Sequence, residues 1–202
     1  MRRMSAVPVL AASTLVVIVL GACNRQPSAD TSVPPATSTP APAQASVAPA
    51  PPVDRTPTFK GYGDLAFGMT SKEMREKWRA PLAGAEPAEA GGCHILVPDA
   101  ASPKSLALMV EGDKLVRYDV GTDAEAAPGG GKVGMGIDQI RALYAGRFRE
   151  QPDKYVPGGI DLRVSADDDS GSALVFQTDA AGKVTSWRVG QPPAVDYVEG
   201  CS

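Results

Sequence analysis

The chain has 202 residues, which is enough for one domain or for two small ones. It carries 20 lysine and arginine residues against 23 aspartate and glutamate residues, and its formal net charge is −3. A mildly acidic chain with scattered basic residues lacks the positive surface that binds a phosphate backbone, so nucleic acid is excluded as the expected partner.

Residues 1–22 have the pattern of a bacterial secretion signal. Arg2 and Arg3 give a positive start, an apolar run follows from residue 6 to residue 20, and small residues precede Cys23. The run is shorter than the roughly 20 apolar residues of a membrane-spanning helix. An ordinary signal peptide followed by a chance cysteine is the alternative.

The end of this segment, Leu20-Gly21-Ala22-Cys23, resembles the lipobox of bacterial lipoproteins. The resemblance implies cleavage before Cys23 and attachment of lipid to it, and more than one acyl chain makes a stable anchor. Asn24 stands where retention at the inner membrane typically requires aspartate. The expected location is therefore the outer membrane, with the folded part facing the periplasm.

Residues 23–57 form the lipidated N-terminus and a tether rich in proline, alanine, serine and threonine. The segment lacks apolar periodicity, so burial cannot offset its ordering entropy. Dense proline favours an extended spacer of about 3.1 Å per residue, which reaches on the order of 100 Å.

The remainder is interpreted as two similar units at 58–125 and 126–202. Gly68-Met69 recurs as Gly134-Met135, and a strand-like segment follows each pair at a similar distance. Each unit is predicted to contain a short helix and antiparallel strands. The predicted fold class is α+β, with two tandem units that form a sheet and short helices packed on one face.

The first helix is expected to begin with the Thr70 and Glu73 capping box and to place Met74 and Trp78 on one side. The second is expected after Gly136, with an apolar stripe of Ile140, Leu143 and Tyr144. Period-two alternation predicts strands whose approximate ranges are 93–97, 106–110, 115–120, 160–164, 172–178 and 183–189.

A Gly-Met pair that opens a capped helix, followed by a strand meander and then repeated, resembles the tandem units of the β-lactamase inhibitor protein. It is also similar to the outer-membrane assembly lipoproteins of the SmpA/OmlA type, which carry one such unit. The resemblance implies a protein-binding or assembly role. No binding residue of either family can be transferred to this sequence.

If Cys23 carries lipid, Cys93 and Cys201 remain as a pair. An even number of cysteines outside the cytoplasm predicts a disulfide. Two free thiols or a metal-binding pair are the alternatives, but His94 is the only histidine and no second cysteine lies at ligand spacing.

No catalytic set, metal site or cofactor site is predicted. His94 is interpreted as a strand histidine with a local hydrogen bond, because no nucleophile is associated with it in the sequence. Asp167-Asp168-Asp169 lacks the ligand spacing of a calcium loop and is read as a solvated turn. Gly129-Gly130-Gly131-Lys132 lacks P-loop spacing and is read as a flexible joint.

Tyr118 and Trp187 are the candidate binding surface, provided that they lie on an uncovered side of the sheet. If they face the helices they belong to the core, where Trp78 and Tyr144 are also expected. The leading hypothesis is a non-enzymatic envelope lipoprotein that binds another protein in assembly or as a scaffold. The alternatives are a lectin-like lipoprotein that binds glycan and an inhibitor of a secreted hydrolase.

Overall fold

The computed structural model describes residues 54–85 and 87–201 of the chain. The predicted signal at 1–22, the predicted lipid acceptor Cys23 and the predicted tether as far as residue 53 lie outside the described residues. Within the described part, neither helix combines the length and the apolar character needed to cross a bilayer.

The described chain is mostly β-structure, with two α-helices and one 3-10 helix. The helices are α1 (Ser71–Trp78), α2 (Ile137–Leu143) and the 3-10 helix Ala194–Asp196. The strands, in chain order, are β1 (Pro57–Thr58), β2 (Gly61–Tyr62), β3 (Leu65–Ala66), β4 (His94–Leu96), β5 (Ala107–Glu111), β6 (Lys114–Val120), β7 (Phe148–Pro152), β8 (Ile160–Ser165), β9 (Ala173–Thr178) and β10 (Val184–Gly190).

Seven strands form one antiparallel sheet in the order β4-β5-β6-β10-β9-β8-β7, and β1, β2 and β3 form a second sheet. The predicted α+β fold of tandem helix-and-strand units is therefore wrong as a fold class. Strands dominate, and the α-helices in the described residues are only 8 and 7 residues long.

Four strands were missed, and the reason is physical. Strands β1, β2 and β3 are two residues each, too short for an alternating pattern to be recognised. Strand β7 lies at the edge of the large sheet, and four of its five residues are exposed. Because its side chains are not sorted between core and water, its sequence carries no period-two signal.

Helix α1 begins as the sequence predicted. The backbone N–H of Glu73 donates to Oγ1 of Thr70 at 3.2 Å, and the backbone N–H of Thr70 donates to Oε2 of Glu73 at 2.7 Å. This reciprocal cap satisfies two amides that have no partner within the helix. Met74 and Trp78 are buried, which confirms the predicted apolar side of α1.

Helix α2 follows Gly136, whose backbone N–H donates to Oε1 of Gln139 at 2.9 Å. Ile140 and Tyr144 are fully buried, as predicted. Leu143 is 44% exposed, so its place in the predicted apolar stripe is wrong. One short helix against a sheet can bury only a narrow stripe, and Leu143 lies outside it.

Alternating strand residues give the large sheet two different faces. The first face, defined by Tyr118 and Trp187, belongs to the main hydrophobic core. Side chains of α1, α2 and the small sheet join the same core, including Met74, Ile140 and Tyr62. The second face is defined by Arg117, Arg188 and their neighbours on the other side of the strands.

The two Gly-Met pairs make matching backbone contacts. The N–H of Gly68 donates to the carbonyl of Leu115, and the N–H of Leu115 donates to the carbonyl of Met69, both at 2.8 Å. Gly134 and Met135 make the same two bonds with Val184, at 2.8 and 2.9 Å. Each pair therefore binds the beginning of the strand that lies in the middle of the sheet, β6 or β10.

The predicted disulfide is confirmed. Cys93 and Cys201 are bonded, with their Cα atoms 5.3 Å apart and a sequence separation of 108 residues. Cys93 lies immediately before β4, an edge strand of the large sheet, whereas Cys201 is the last described residue. The bond therefore attaches residue 201 beside β4, at the edge of the large sheet that is opposite to β7.

Candidate binding site

The proposed aromatic surface does not exist, because Tyr118 and Trp187 are 0% and 1% exposed. Their rings meet edge to face with centroids 6.0 Å apart, inside the core of the first face. The hydroxyl of Tyr118 donates to the carbonyl of Thr58 at 2.7 Å, and burial raises the pKa of Tyr118. Alternation placed both residues on the same face correctly, but it does not specify which face is covered.

The second face carries the C-terminal tail, which we define as residues 191–201. The tail leaves β10 and crosses the sheet, with the 3-10 helix Ala194–Asp196 in its first half. Ala194 and Val195 are buried, and Val195 forms a small apolar cluster with Ala173 and Val175 of β9. The first half of the tail is therefore packed against the second face.

Arg117 of β6 is the central anchor of the tail. Its Nη1 donates to the backbone carbonyls of Ala194 and Tyr197 at 3.1 and 2.8 Å. Its Nε and Nη2 both donate to the carboxylate of Asp119, with a shortest distance of 2.6 Å. This bidentate pair holds the guanidinium plane so that the remaining nitrogen faces the tail.

Arg188 and Arg163 provide two further anchors. Nε of Arg188 donates to the carbonyl of Val195 at 2.7 Å, and burial lowers the pKa of Arg188. Nε of Arg163 donates to Oδ1 of Asp196 at 2.8 Å, at the exposed side of the tail. Three arginines from three strands therefore hold residues 194–197.

Asp161 is the acidic group beneath this layer. Its Oδ2 lies 4.0 Å from Nη2 of Arg188, too far for a hydrogen bond, and its Oδ1 has no hydrogen-bond partner. Burial raises the pKa of Asp161, despite the opposing effect of Arg188. The pair is therefore a costly element of the second face, since both side chains are buried and one oxygen of the carboxylate has no hydrogen bond.

Beside the tail, the second face is open in a cavity of about 620 Å³, which we call the tail groove. Its floor comes from β5 and β6, with Ala107, Met109, Arg117 and Asp119. Its walls come from β4, the loop after it, the beginning of β10 and the end of the tail. The wall residues include Ile95, Lys104, Thr185, Ser186, Glu199, Gly200 and Cys201.

A second cavity of about 450 Å³ is also bordered by the end of the tail. Both cavities are lined by Glu199, Gly200 and Cys201, and the second is also lined by Cys93. Residues 199–201 therefore border both open spaces. Glu199 is held from outside by Nζ of Lys154 at 2.9 Å and by the hydroxyl of Tyr155.

The other residues singled out in the sequence do not join this site. His94 is buried, with Nδ1 3.4 Å from the carbonyl of Gly92, consistent with the predicted strand histidine. Asp168 accepts from the N–H of Ser170 at 2.9 Å within an exposed turn, as the solvated-turn interpretation expected.

The glycine segment at 129–131 packs against α2 instead of serving only as a connection. The hydroxyl of Tyr144 donates to the carbonyl of Pro128 at 2.7 Å and lies 3.2 Å from the N–H of Gly131, which donates to it. Gly131 also lies against Phe176, where a Cβ atom would be 2.4 Å from the ring. Close packing accounts for the glycine there.

Within the described ranges, no three histidine, cysteine, aspartate or glutamate side chains come together as a possible metal site. The functional features that the sequence interpretation missed are the tail and its anchors. A signal for them was present, because a disulfide from Cys93 to Cys201 requires the C-terminus to return across the sheet.

Comparison with known proteins gives no family. No family model matches the sequence, and neither does any curated protein. Among solved structures, this chain is similar to an extracellular protein containing an SCP domain from Bacillus anthracis, at 10% identity and a TM-score of 0.45. That likeness covers 74% of this chain and only 50% of the Bacillus protein.

A second solved structure with a likeness is the uncharacterized protein YfeY from Escherichia coli. The identity is 11% and the TM-score is 0.42, over 69% of this chain and 99% of the other. Both likenesses are too weak to carry an inference about fold or function.

Proposed function

We propose that this chain is a non-enzymatic, lipid-anchored envelope protein whose folded unit binds an extended segment of another envelope protein in the tail groove. The observation that carries the proposal is the groove itself, an open cavity of about 620 Å³ beside a peptide segment that the same face already holds. The outer membrane, reached through lipid on Cys23, is the proposed location.

The composition of the groove suits a peptide. Ile95 and Ala107, both partly exposed, offer apolar surface, whereas Lys104 adds a positive charge on the wall and Asp119 a carboxylate on the floor. An apolar centre with a polar rim is the usual composition of a protein-binding site. Both carboxylate oxygens of Asp119 accept from Arg117, but its side chain is still 28% exposed and can accept from an incoming N–H donor.

The tail supports the choice of a peptide over other ligands. Arg117 and Arg188 already donate to three backbone carbonyls of the tail, at Ala194, Val195 and Tyr197. The second face thus recognises an irregular backbone through side-chain donors.

The first described residues pack on the first face and leave the second face uncovered by them. Phe59 and Tyr62 lie in the core of the first face, and the guanidinium of Arg55 lies 4.4 Å from the ring centroid of Trp78. The first described residues therefore lie on the side opposite the groove.

The two alternatives fare differently. A lectin-like function depended on exposed Tyr118 and Trp187, and both side chains are buried, so nothing in the site now favours it. Inhibition of a secreted hydrolase uses the same kind of protein interface. The identity of the captured partner distinguishes inhibition from assembly.

The test is photocrosslinking in intact cells. A photoreactive residue placed at Thr185, an exposed position on the groove wall, is expected to give one dominant protein adduct identified by mass spectrometry. The matched control is Lys72, an exposed residue of α1 on the first-face side. An adduct from Thr185 and none from Lys72 supports the proposal, whereas equal adducts from both positions, or none from Thr185, contradict it.

A further inference from the structure

The end of the tail is held differently from its middle. Residues 194–197 are held by three buried or partly buried arginine side chains. For residues 198–201 the structure gives no backbone–backbone hydrogen bond, and the side-chain hydrogen bonds are those of Glu199 with Lys154 and Tyr155. The tail therefore has a firmly anchored half and a half that depends mainly on the bond between Cys201 and Cys93.

The contacts of Glu199 are too weak to replace that bond. The side chains of Lys154 and Glu199 are 59% and 51% exposed, and exposed ion pairs contribute little to stability. Fixing the backbone of several residues costs more than such a pair returns. Without the disulfide, residues 198–201 are expected to leave the sheet while residues 194–197 stay in place.

The disulfide lies at the surface, beside both cavities. Cys93 and Cys201 are both partly exposed, both line the smaller cavity, and Cys201 also lines the tail groove. A disulfide at the wall of open cavities can be approached by an external thiolate, which is the requirement for exchange. A fully buried disulfide would not offer this access.

We propose that the Cys93–Cys201 disulfide is a thiol–disulfide exchange site for a dithiol reductant, and that its reduction opens the tail groove. A thiolate of the reductant attacks one sulfur, and a mixed disulfide forms while the other cysteine leaves as a thiolate. The second thiol of the reductant then displaces the protein. Two electrons and two protons pass to Cys93 and Cys201, and the reductant is released as a disulfide.

The structural consequence is a larger open groove. Because residues 199–201 line both cavities, we expect their departure to join spaces of about 450 and 620 Å³. Met109, which is fully buried, would become exposed, since a methyl group placed on Gly200 would lie 3.9 Å from its Cε. Oxidation of Met109 therefore reports directly on the opening.

The test compares the oxidised protein with the Cys93→Ser/Cys201→Ser variant under dilute hydrogen peroxide, followed by peptide mass spectrometry. Met109 is expected to oxidise at least about tenfold faster in the variant, because a local opening exposes it. Met74, equally buried but in the core of the first face, is the matched control and is expected to keep its protection. Unchanged Met109 protection, or equal loss of protection at both residues, overturns the proposal.

A second measurement addresses the exchange reaction itself. Dithiothreitol is expected to reduce the folded wild-type protein without denaturant, with an unchanged far-ultraviolet circular dichroism spectrum. Reduction that requires denaturant, or that abolishes the spectrum of the sheet, would show a purely structural disulfide. Neither measurement uses the binding partner, so failure here is distinguishable from failure of the proposed function.

Discussion

Replacing Arg117 by methionine removes the charge and the donors of the central tail anchor while it keeps most of the side-chain volume. The substitution breaks the bidentate pair with Asp119 and the bonds to the carbonyls of Ala194 and Tyr197. Asp119 is left without its partner on a partly covered surface. The tail loses the donor that fixes its turn at residues 194–197.

The expected cost follows from burial. The side chain of Arg117 is 7% exposed, and removing one partner of a buried ion pair costs about 3–5 kcal/mol. The side chain of Asp119 is 28% exposed, so water compensates part of its charge and the expected loss is about 2–4 kcal/mol. This is a large fraction of the stability of a domain of ordinary size.

Arg163→Met is the matched control, because Arg163 also holds the tail. Its contact is with the carboxylate of Asp196. Its side chain and that of Asp196 are 33% and 47% exposed, and exposed pairs contribute about 0–1 kcal/mol. The assay is urea unfolding followed by the fluorescence of Trp78 and Trp187, both of which are buried.

The reasoning predicts a clear separation between the two variants. A loss below about 1 kcal/mol for Arg117→Met would mean that the tail is not anchored by a desolvated arginine. An equal loss for both variants would also refute the argument, because burial would then not determine the value of each contact.

Three further variants test the pH dependence, the packing and the capping of the fold. Burial raises the pKa of Asp161 above its unfolded value, so relative to Asp161→Asn the wild type should gain stability as pH falls from neutral towards about 4. Gly131→Ala should cost about 1–3 kcal/mol, since the new Cβ would lie 2.4 Å from the buried ring of Phe176. Thr70→Ala should cost about 1 kcal/mol by removing the hydroxyl that caps Glu73.

Each of these has a result that would count against it. A difference between Asp161→Asn and wild type that is constant with pH would show that Asp161 keeps its ordinary pKa when folded. An unaltered unfolding midpoint for Gly131→Ala would show that the segment at 129–131 moves away from Phe176 at no cost in stability. Thr70→Ser retains the hydroxyl and should unfold like the wild type, so a loss equal to that of Thr70→Ala would exclude capping as the cause.

Local signals in the sequence identified many elements of the fold but not its class. The capping box at Thr70 and the alternation around Tyr118 and Trp187 each specify a short piece of backbone, and those pieces are present. The proportion of strand to helix was misjudged, because β7 faces solvent along most of its length. An edge strand with exposed side chains carries no hydrophobic period.

The site was missed for a related reason. Period-two alternation assigns Tyr118 and Arg117 to opposite faces, but burial of both depends on what covers each face. Tyr118 meets the core, and Arg117 lies beneath a tail that has no periodic signal of its own. The predicted Cys93–Cys201 bond contained the missing restraint, since it forces the C-terminus back towards β4.

The central claim is that a partner segment occupies the tail groove, and the most direct measurement blocks the groove. Ala107 lies on its floor, so Ala107→Arg places a long charged side chain in the space, whereas Ala80→Arg adds the same side chain at an exposed position after α1. Each variant carries the photoreactive residue at Thr185, and circular dichroism verifies that it is folded. We expect Ala107→Arg to lose the protein adduct and Ala80→Arg to keep it; an adduct of unchanged yield in folded Ala107→Arg would contradict binding in the groove.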